Sequence, residues 1–435
     1  MAVEQFWDRA AETMPRDELE RLQMARVRAC VARLKASGTE FYRRRLADVS
    51  EDGLRSMEDL ARLPFTTKSD LRENYPFGLF AVPSHEIVRI HASSGSTGKP
   101  TVVAYTRADL ALWANVLARG LVAGGLTSGD VFQNAYGYGL FTGGLGFHDA
   151  ASLVGAAVVP TSSGNTPRQL MLMRDFGVTA FAATPSYSIN VAEVAVAEGI
   201  DFESLPLRVA FVGAEPMSQA MQQEIEERMG VRVCEQFGLS EIIGPGVASA
   251  CEQQQGLHVW EDHFIPEIID PNSGERLPDG EIGELVLTAA TKEAFPVLRY
   301  RTRDRTRLVR ERCDCGRTMA RIVKILGRTD DMLIVRGVNV FPSQIEHALL
   351  GVEGVAPQYQ IVLTTRADRQ DELRVRIEAA AGHGAEPADR AALGVRAREV
   401  LHSALGLAVV VEIVVAGSLP RSEGKAIRVV DERRK

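Results

Sequence analysis

The sequence predicts an α/β protein with a large, multi-layer N-terminal domain built on mostly parallel sheets and a small α+β domain at the C-terminus. Three observations carry this expectation. From Arg107 onward, short apolar runs alternate with helical stretches of about ten residues, the pattern of a parallel sheet covered on both faces. Around Glu281 the texture changes to short strands separated by turns such as Asp270-Pro271-Asn272-Ser273-Gly274 and Pro278-Asp279-Gly280, whose Asp, Pro and Gly favour reversal of the chain. Beyond Arg328-Thr329-Asp330-Asp331 lies a compact segment with strands and helices of its own, which places the division at 1–329 and 330–435.

Bulk properties narrow the class. A chain of 435 residues is too long for one simple core. A hydrophobic share of 45% and a charged share of 25% suit a soluble globular protein. The net charge of −7 argues against general nucleic-acid binding, which needs a basic face. No run of 18 apolar residues suggests a membrane span. The N-terminus (Met1-Ala2-Val3-Glu4-Gln5-Phe6-Trp7-Asp8) has acidic residues and no apolar core, unlike a signal peptide. Five cysteines do not form a disulfide framework, so a reducing cytoplasm is expected.

In chain order, Asp17 to Ala36 has apolar residues three and four apart and predicts a helix, and Pro64-Phe65-Thr66-Thr67-Lys68-Ser69-Asp70 ends that region with a cap for another. Two apolar runs, Ile87 to Ile90 and Thr101 to Tyr105, flank a loop of Ser93, Ser94, Gly95, Ser96, Thr97, Gly98 and Lys99. Glycines allow close backbone approach, and N–H groups and hydroxyls can surround phosphate oxygens. The spacing is not that of a P-loop, since Pro100 follows the lysine, and an ordinary Ser/Gly surface turn is the alternative. Helices are expected at 107–120, 167–176 and 219–229, and strands at 155–160, 178–183 and 207–213. Ligands of such sheets sit at the carboxyl ends of strands, which is where Gly213-Ala214-Glu215-Pro216 and Glu235-Gln236-Phe237-Gly238 fall. Strands at 283–288 and 297–300 follow. The C-terminal segment predicts strands at 360–364, 373–378 and 409–415 with helices at 343–350 and 387–405.

Polar motifs punctuate this frame. Phe237-Gly238-Leu239-Ser240-Glu241 places a stacking ring, a glycine and a carboxylate suited to Mg²⁺ in one turn. Asp304, after Tyr300-Arg301-Thr302-Arg303, can accept hydrogen bonds from the two hydroxyls of a ribose, with a surface ion-pair ladder as the bland alternative. Lys425 follows a glycine in Pro420-Arg421-Ser422-Glu423-Gly424-Lys425. Separately, the C-x-C-G turn Cys313-Asp314-Cys315-Gly316, together with Cys251 and His258, offers three thiolates and an imidazole, a closed and therefore structural Zn²⁺ set.

Taken together the motifs resemble the adenylate-forming superfamily of acyl-CoA synthetases, adenylation domains and luciferases, and within it the phenylacetate–CoA ligase branch. The stretches that carry the resemblance are His91 to Val103, Tyr136 to Gly144, Gly238 to Glu241, Trp260 to Phe264 and Gly327 to Pro342. The resemblance implies two steps. A carboxylate and ATP form an acyl-adenylate and pyrophosphate, and the thiol of coenzyme A then displaces AMP. It also implies roles: Thr97, Lys99 and their loop on the phosphates, Glu241 on Mg²⁺, and Asp304 on the ribose. Gly213, Ala214, Glu215, Pro216 and Phe237, with Gly238 and Ser240, would wall the nucleotide. Arg328 would touch ribose or phosphate, Asp330 would be the hinge, Lys425 would assist adenylation, and the face at Gly337 would admit CoA.

The branch usually has tyrosine at the position of Phe237. Where phenylacetate enzymes read close to G-A-H-Y-G-A-E, this chain has Gly146-Phe147-His148-Asp149-Ala150-Ala151-Ser152. With Tyr136, Tyr138 and Phe141 still implying a flat apolar pocket, Asp149 points to a hydroxylated or amino-substituted benzoate. The expectation is therefore an AMP-forming aromatic acid–CoA ligase using ATP, Mg²⁺ and CoA, with structural Zn²⁺ and with homodimerisation left open. A non-CoA acceptor (an amine, nitrite or carrier-protein thiol) and a nucleotide-binding protein without catalysis remain as alternatives.

Overall fold

The computed structural model describes residues 6–93, 100–331, 333–336, 338–366, 370–380, 382–421 and 428–433. Its first long element is the helix Arg16–Ala36. Met24, Val27, Cys30, Val31 and Leu34 recur along it at spacings of three and four residues and are buried, and they join one core with the strands after residue 257. Arg16 anchors its start with a fork onto the buried carboxylate of Glu261, at 2.9 and 2.7 Å. One face of the helix is thus committed to the core and the other to water.

The central sheet has nine strands. From one edge they run Leu308–Val309, Arg321–Ile322, Leu257–Val259, Gly244–Ala250, Arg232–Leu239, Val209–Gly213, Ala180–Ala183, Val131–Asn134 and Ala157–Val159. The last five pair in parallel, with helices such as Pro185–Ala197 and Gln219–Met229 as crossovers. The other four are added antiparallel, an extension that the alternating pattern does not announce. Its cause is local. Only residues 240–243 separate Arg232–Leu239 from Gly244–Ala250, too few for a crossover helix and enough for a reversal.

Helix Arg107–Ala123 starts with a reciprocal cap between Thr106 and Asp109. The Asp109 carboxylate also takes the N–H groups of Glu293 (2.6 Å) and Ala294 (2.9 Å), tying a distant loop to the helix. Mid-helix Gly120 lies so close to the sheet that a Cβ there would sit 2.1 Å from Ser249 Oγ. That contact justifies a residue that costs roughly 1 kcal/mol relative to alanine in a helix interior.

A three-stranded antiparallel sheet (Phe264–Ile269, Gly283–Ala289, Val297–Thr306) and a two-stranded one (Arg89–Ala92, Val102–Tyr105) complete this part. Beyond residue 332 the buried apolar residues form a core of their own, from Val335 to Val409, with Val429 packed against it. There a four-stranded sheet runs in the order Val410–Val414, Asp371–Ala379, Val355–Thr365, Val429–Asp431. Helices Pro342–Leu350 and Pro387–Leu405 accompany it, each opened by proline, whose missing N–H is no loss at the first helical position.

Candidate active site

The carboxyl ends of the parallel strands carry the first group of site residues. Strand Val209–Gly213 ends at a glycine where a Cβ would lie 2.1 Å from the Gln236 carbonyl oxygen of the next strand. Ala214 then turns the chain at φ +71°, a left-handed conformation that costs a non-glycine residue about 1–2 kcal/mol and recurs at ligand sites. The Glu215 carboxylate holds this turn in place, accepting from Ser186 N (3.2 Å) and Ser186 Oγ (2.6 Å) at the start of helix Pro185–Ala197. Tyr136 closes the other side. Its hydroxyl donates to the carbonyls of Ala183 (2.6 Å) and Gly213 (3.3 Å), and its ring stacks on Phe147 with centroids 4.8 Å apart. Burial pushes the Tyr136 hydroxyl well above its ordinary range, so this side chain is a neutral wall.

The turn after strand Arg232–Leu239 supplies the second group. A register shift at Phe237/Gly238 swings the strand end, and Ser240 Oγ lies 3.3 Å from Thr142 Oγ1, joining the turn to the 136–144 segment. Glu241 is 8% exposed, and its carboxylate lies close enough to Tyr300 to help raise that hydroxyl's pKa, after burial. Close by is Lys292, which sequence alone places in a polar Thr-Lys-Glu surface turn. It is fully buried, its Nζ has no hydrogen-bond partner among the described residues, and it lies 4.4 Å from the Tyr105 ring centroid and 5.2 Å from that of Phe295. Burial lowers its pKa to about 8, partly offset by Asp109 and Glu241.

Strand Val297–Thr306 carries the third group. Asp304 pairs backbone to backbone with Arg328, and the Arg328 Nη1 donates to Asp304 Oδ1 at 3.1 Å. The same guanidinium grips Asp330 at 2.8 and 3.0 Å. Three residues singled out separately in the sequence thus form one cluster where the two parts of the chain meet. Burial raises Asp304 to about 6, with Arg328 pulling the other way.

Asp149 behaves differently from its sequence-based reading as a bare polar group facing the acid. Its carboxylate accepts from Arg89 Nη1 at 2.8 Å, so the charge is answered within the protein. Nothing in the local sequence reveals this partner, which lies 60 residues earlier. Tyr138 is bound by Asn134 (2.8 Å) and lies 3.2 Å from His148 Nδ1, while Phe141 is 53% exposed.

The Cys/His set assembles away from these groups. Cys251 follows strand Gly244–Ala250, His258 lies in the neighbouring Leu257–Val259, and Cys313 and Cys315 occupy the turn that leads to Arg321–Ile322. Their four ligand atoms lie within 4.8 Å of one another. Cys251 Sγ is 3.8 Å from Cys313 Sγ, and Cys315 Sγ is 3.4 Å from His258 Nε2. A tetrahedral zinc with ordinary bond lengths has edges of about 3.8 Å between sulfurs and about 3.6 Å between sulfur and nitrogen. Burial keeps His258 neutral, as a ligand must be. Cys30 and Cys234, in contrast, are lone core thiols that burial pushes up to about 11.

Ser93 directly follows strand Arg89–Ala92, with its N–H on the Thr101 carbonyl at 2.9 Å. Ser94, Gly95, Ser96, Thr97, Gly98, Lys99, Gly337 and Lys425 lie outside the described residues.

Residues 15–291 match the model of a family described as AMP-binding enzyme, and residues 337–433 match that of the AMP-binding enzyme C-terminal domain. The chain belongs to the AMP-binding enzyme family. It is 48% identical over 440 residues to a phenylacetate-coenzyme A ligase of Thermus thermophilus, covering 98% of each chain. To a phenylacetate-coenzyme A ligase of Escherichia coli K12 it is 48% identical over 427 residues, covering 97% of each. Among solved members of this family's fold, 2-hydroxyisobutyryl-CoA ligase in the postadenylation state, in complex with R3-HIB-AMP, overlays with a TM-score of 0.92 at 31% identity, over 99% of this chain and 93% of that one. The same ligase with 2-HIB-AMP and CoA in the thioesterification state gives 0.74 at 31% identity, over 100% and 94%. With identity and coverage matched, the drop reflects a different arrangement of the same parts, and this chain shares the postadenylation one.

Proposed function

We propose that the site works as follows. The chain is an AMP-forming aromatic acid–CoA ligase, and the observation that carries this is the near full-length identity of 46–48% to four phenylacetate-coenzyme A ligases. A non-CoA acceptor is not favoured. The acid and ATP bind at the carboxyl ends of the parallel strands. Phe237 stacks on adenine, the 213–216 turn holds its edge, Asp304 accepts from the ribose hydroxyls, and Arg328 steadies ribose or phosphate. The 93–99 loop cradles the phosphates, and Lys425 adds positive charge as the acid's carboxylate attacks the α-phosphorus. Glu241, a buried hard oxygen donor beside Tyr300, fits an Mg²⁺ ligand. Bound there, Mg²⁺ would neutralise charge developing on the phosphates. Residues 330–435 form the mobile domain, with Asp330 as its hinge. Cys251, His258, Cys313 and Cys315 hold a structural Zn²⁺. Unpaired core thiols at Cys30 and Cys234 suit a reducing compartment, and we place the enzyme in the cytoplasm.

For the acid, the Arg89–Asp149 pair removes the reason to prefer a polar benzoate, because the carboxylate is already satisfied. Phenylacetate therefore becomes the first candidate. It should exceed unsubstituted, hydroxy- and amino-benzoates in kcat/KM by about tenfold or more, the usual worth of one methylene in an apolar pocket. The test is pyrophosphate release from ATP across a panel of aryl acids, each with and without CoA. Release with phenylacetate, leading to its thioester when CoA is present, is the expected result. Release without thioester would reinstate another acceptor, and best turnover with a hydroxy- or aminobenzoate would return Asp149 to the acyl pocket.

A further inference from the structure

Arg421 holds two carboxylates from different parts of the chain. On one side lies Glu378, in strand Asp371–Ala379, with a side chain that is completely buried. Its Oε1 accepts from Leu419 N (2.7 Å) and Arg421 Nη1 (2.8 Å), and its Oε2 from Gly417 N (2.9 Å) and Arg421 Nη2 (2.9 Å). This carboxylate moulds segment 417–421 and fixes the guanidinium as a fork. On the other side Arg421 Nε reaches Glu193 Oε2 at 3.0 Å and Nη2 reaches Oε1 at 3.4 Å. Glu193 lies 228 residues away on helix Pro185–Ala197, the helix whose first turn Glu215 caps at the nucleotide side.

The two halves of this bridge differ in what they connect. Arg421–Glu378 lies within the C-terminal part and survives any rigid movement of that part. Arg421–Glu193 spans both parts and exists only while they are docked in this arrangement, the one that overlays at 0.92 on the postadenylation state and not at the 0.74 of the thioesterification state. Lys425, the lysine that the family resemblance assigns to adenylation, is four residues further along the chain.

We propose that Arg421 is a positioning residue for adenylate formation: preset by Glu378, it docks on Glu193 and holds the C-terminal part against helix Pro185–Ala197 until the acyl-adenylate has formed, then releases it for thioester formation. The inference rests on reading the chain as a two-step ligase. A bond present in only one of two arrangements shifts their populations by its own free energy. The side chains of Arg421 and Glu193 are 25% and 28% exposed, so solvent screens the pair and its worth is modest. Glu193→Gln should slow adenylation by about fivefold, the equivalent of roughly 1 kcal/mol.

The test uses the full chain and separates the half-reactions. One assay follows single-turnover pyrophosphate release from ATP and acid without CoA. The other follows thioester formation from synthetic acyl-adenylate and CoA. For Glu193→Gln the first should fall about fivefold while the second holds or rises, with an unchanged melting temperature. Glu193→Asp, which keeps the charge, should recover part of the loss. In the wild type, salt should slow the first assay more than it does in Glu193→Gln. An unaltered first assay, or an equal fall in both, overturns the latch. A wild type silent in both assays overturns the ligase reading itself, and the latch with it.

Discussion

Asp304→Asn is expected to weaken ATP binding by about a hundredfold while leaving the fold as stable as before, or more so. An ionised carboxylate accepting from two hydroxyls is worth about 1.5–3 kcal/mol per hydrogen bond, and an amide oxygen recovers part of that, which leaves a net loss near 100-fold. The stability half follows from the pKa. Burial raises Asp304 from 3.8 to about 6, with Arg328 opposing. The fold therefore prefers the protonated form. Its cost is absent below the unfolded value and fully present above about pH 6, with an upper bound near 3 kcal/mol. Asparagine removes this cost but gives up an acceptor for Arg328, which keeps Asp330. The net change should lie between zero and roughly 2 kcal/mol of stabilisation at pH 8 and vanish at pH 4. For the wild type, the same pKa predicts that the ATP KM climbs as pH falls below about 6. Calorimetric titration with ATP and melting curves at both pH values check all three points. Undiminished ATP affinity in Asp304→Asn would remove Asp304 from the ribose.

How much of this was legible in the sequence depends on the range of the interaction. Helices such as Gln219–Met229 and Pro387–Leu405, and the parallel strands Ala157–Val159, Ala180–Ala183 and Val209–Gly213, are local events written in apolar periodicity and caps, and they lie where the pattern put them, whereas Val131–Asn134 was not read. The antiparallel flank was not anticipated, because what decides it is the brevity of 240–243 and not the character of the strands. Asp304, Arg328 and Asp330 are close in sequence, and their convergence was within reach. Three features were not. Lys292 looks like a surface lysine, and only the Tyr105 and Phe295 rings above it reveal its burial. Asp149 pairs with Arg89 and Arg421 with Glu193, and each partner lies in a different element of the fold. Charge pairing at such separations leaves no periodicity to read. The Cys/His set could be read despite its spread, because three thiols and an imidazole make a full tetrahedral ligand set, and the fold brings the four together.

That set carries the other large prediction. Purified protein should contain one zinc per chain, and Cys315→Ser should lose it and melt about 10 °C lower, corresponding to roughly 5 kcal/mol. The magnitude has a structural source. The four ligands join the antiparallel flank of the sheet at residues 251–258 to the 313–315 turn, so the metal closes a loop that the unfolded chain would leave open. The wild-type site places Cys251, Cys313 and His258 in the interior, where the loss of one ligand leaves buried polar groups without a cation. Cys315 is the informative position because its thiol is held far below the ordinary range, first by the hydrogen bond from Cys251 and then by His258, whereas Cys251 is pushed up. Thiols must shed their protons when the metal binds, so zinc affinity should rise with pH. No residue of this set belongs to the nucleotide cluster. Below its lowered melting point Cys315→Ser should therefore keep its adenylation rate to within about twofold, a structural site having no part in the chemistry. Elemental analysis with melting curves in the presence and absence of a chelator would decide the matter. Zinc-free wild-type protein with an unshifted melting point would reduce the cluster to four packed side chains, whereas a mutant that is cold-active but heat-labile would fix the metal as a brace for the antiparallel flank.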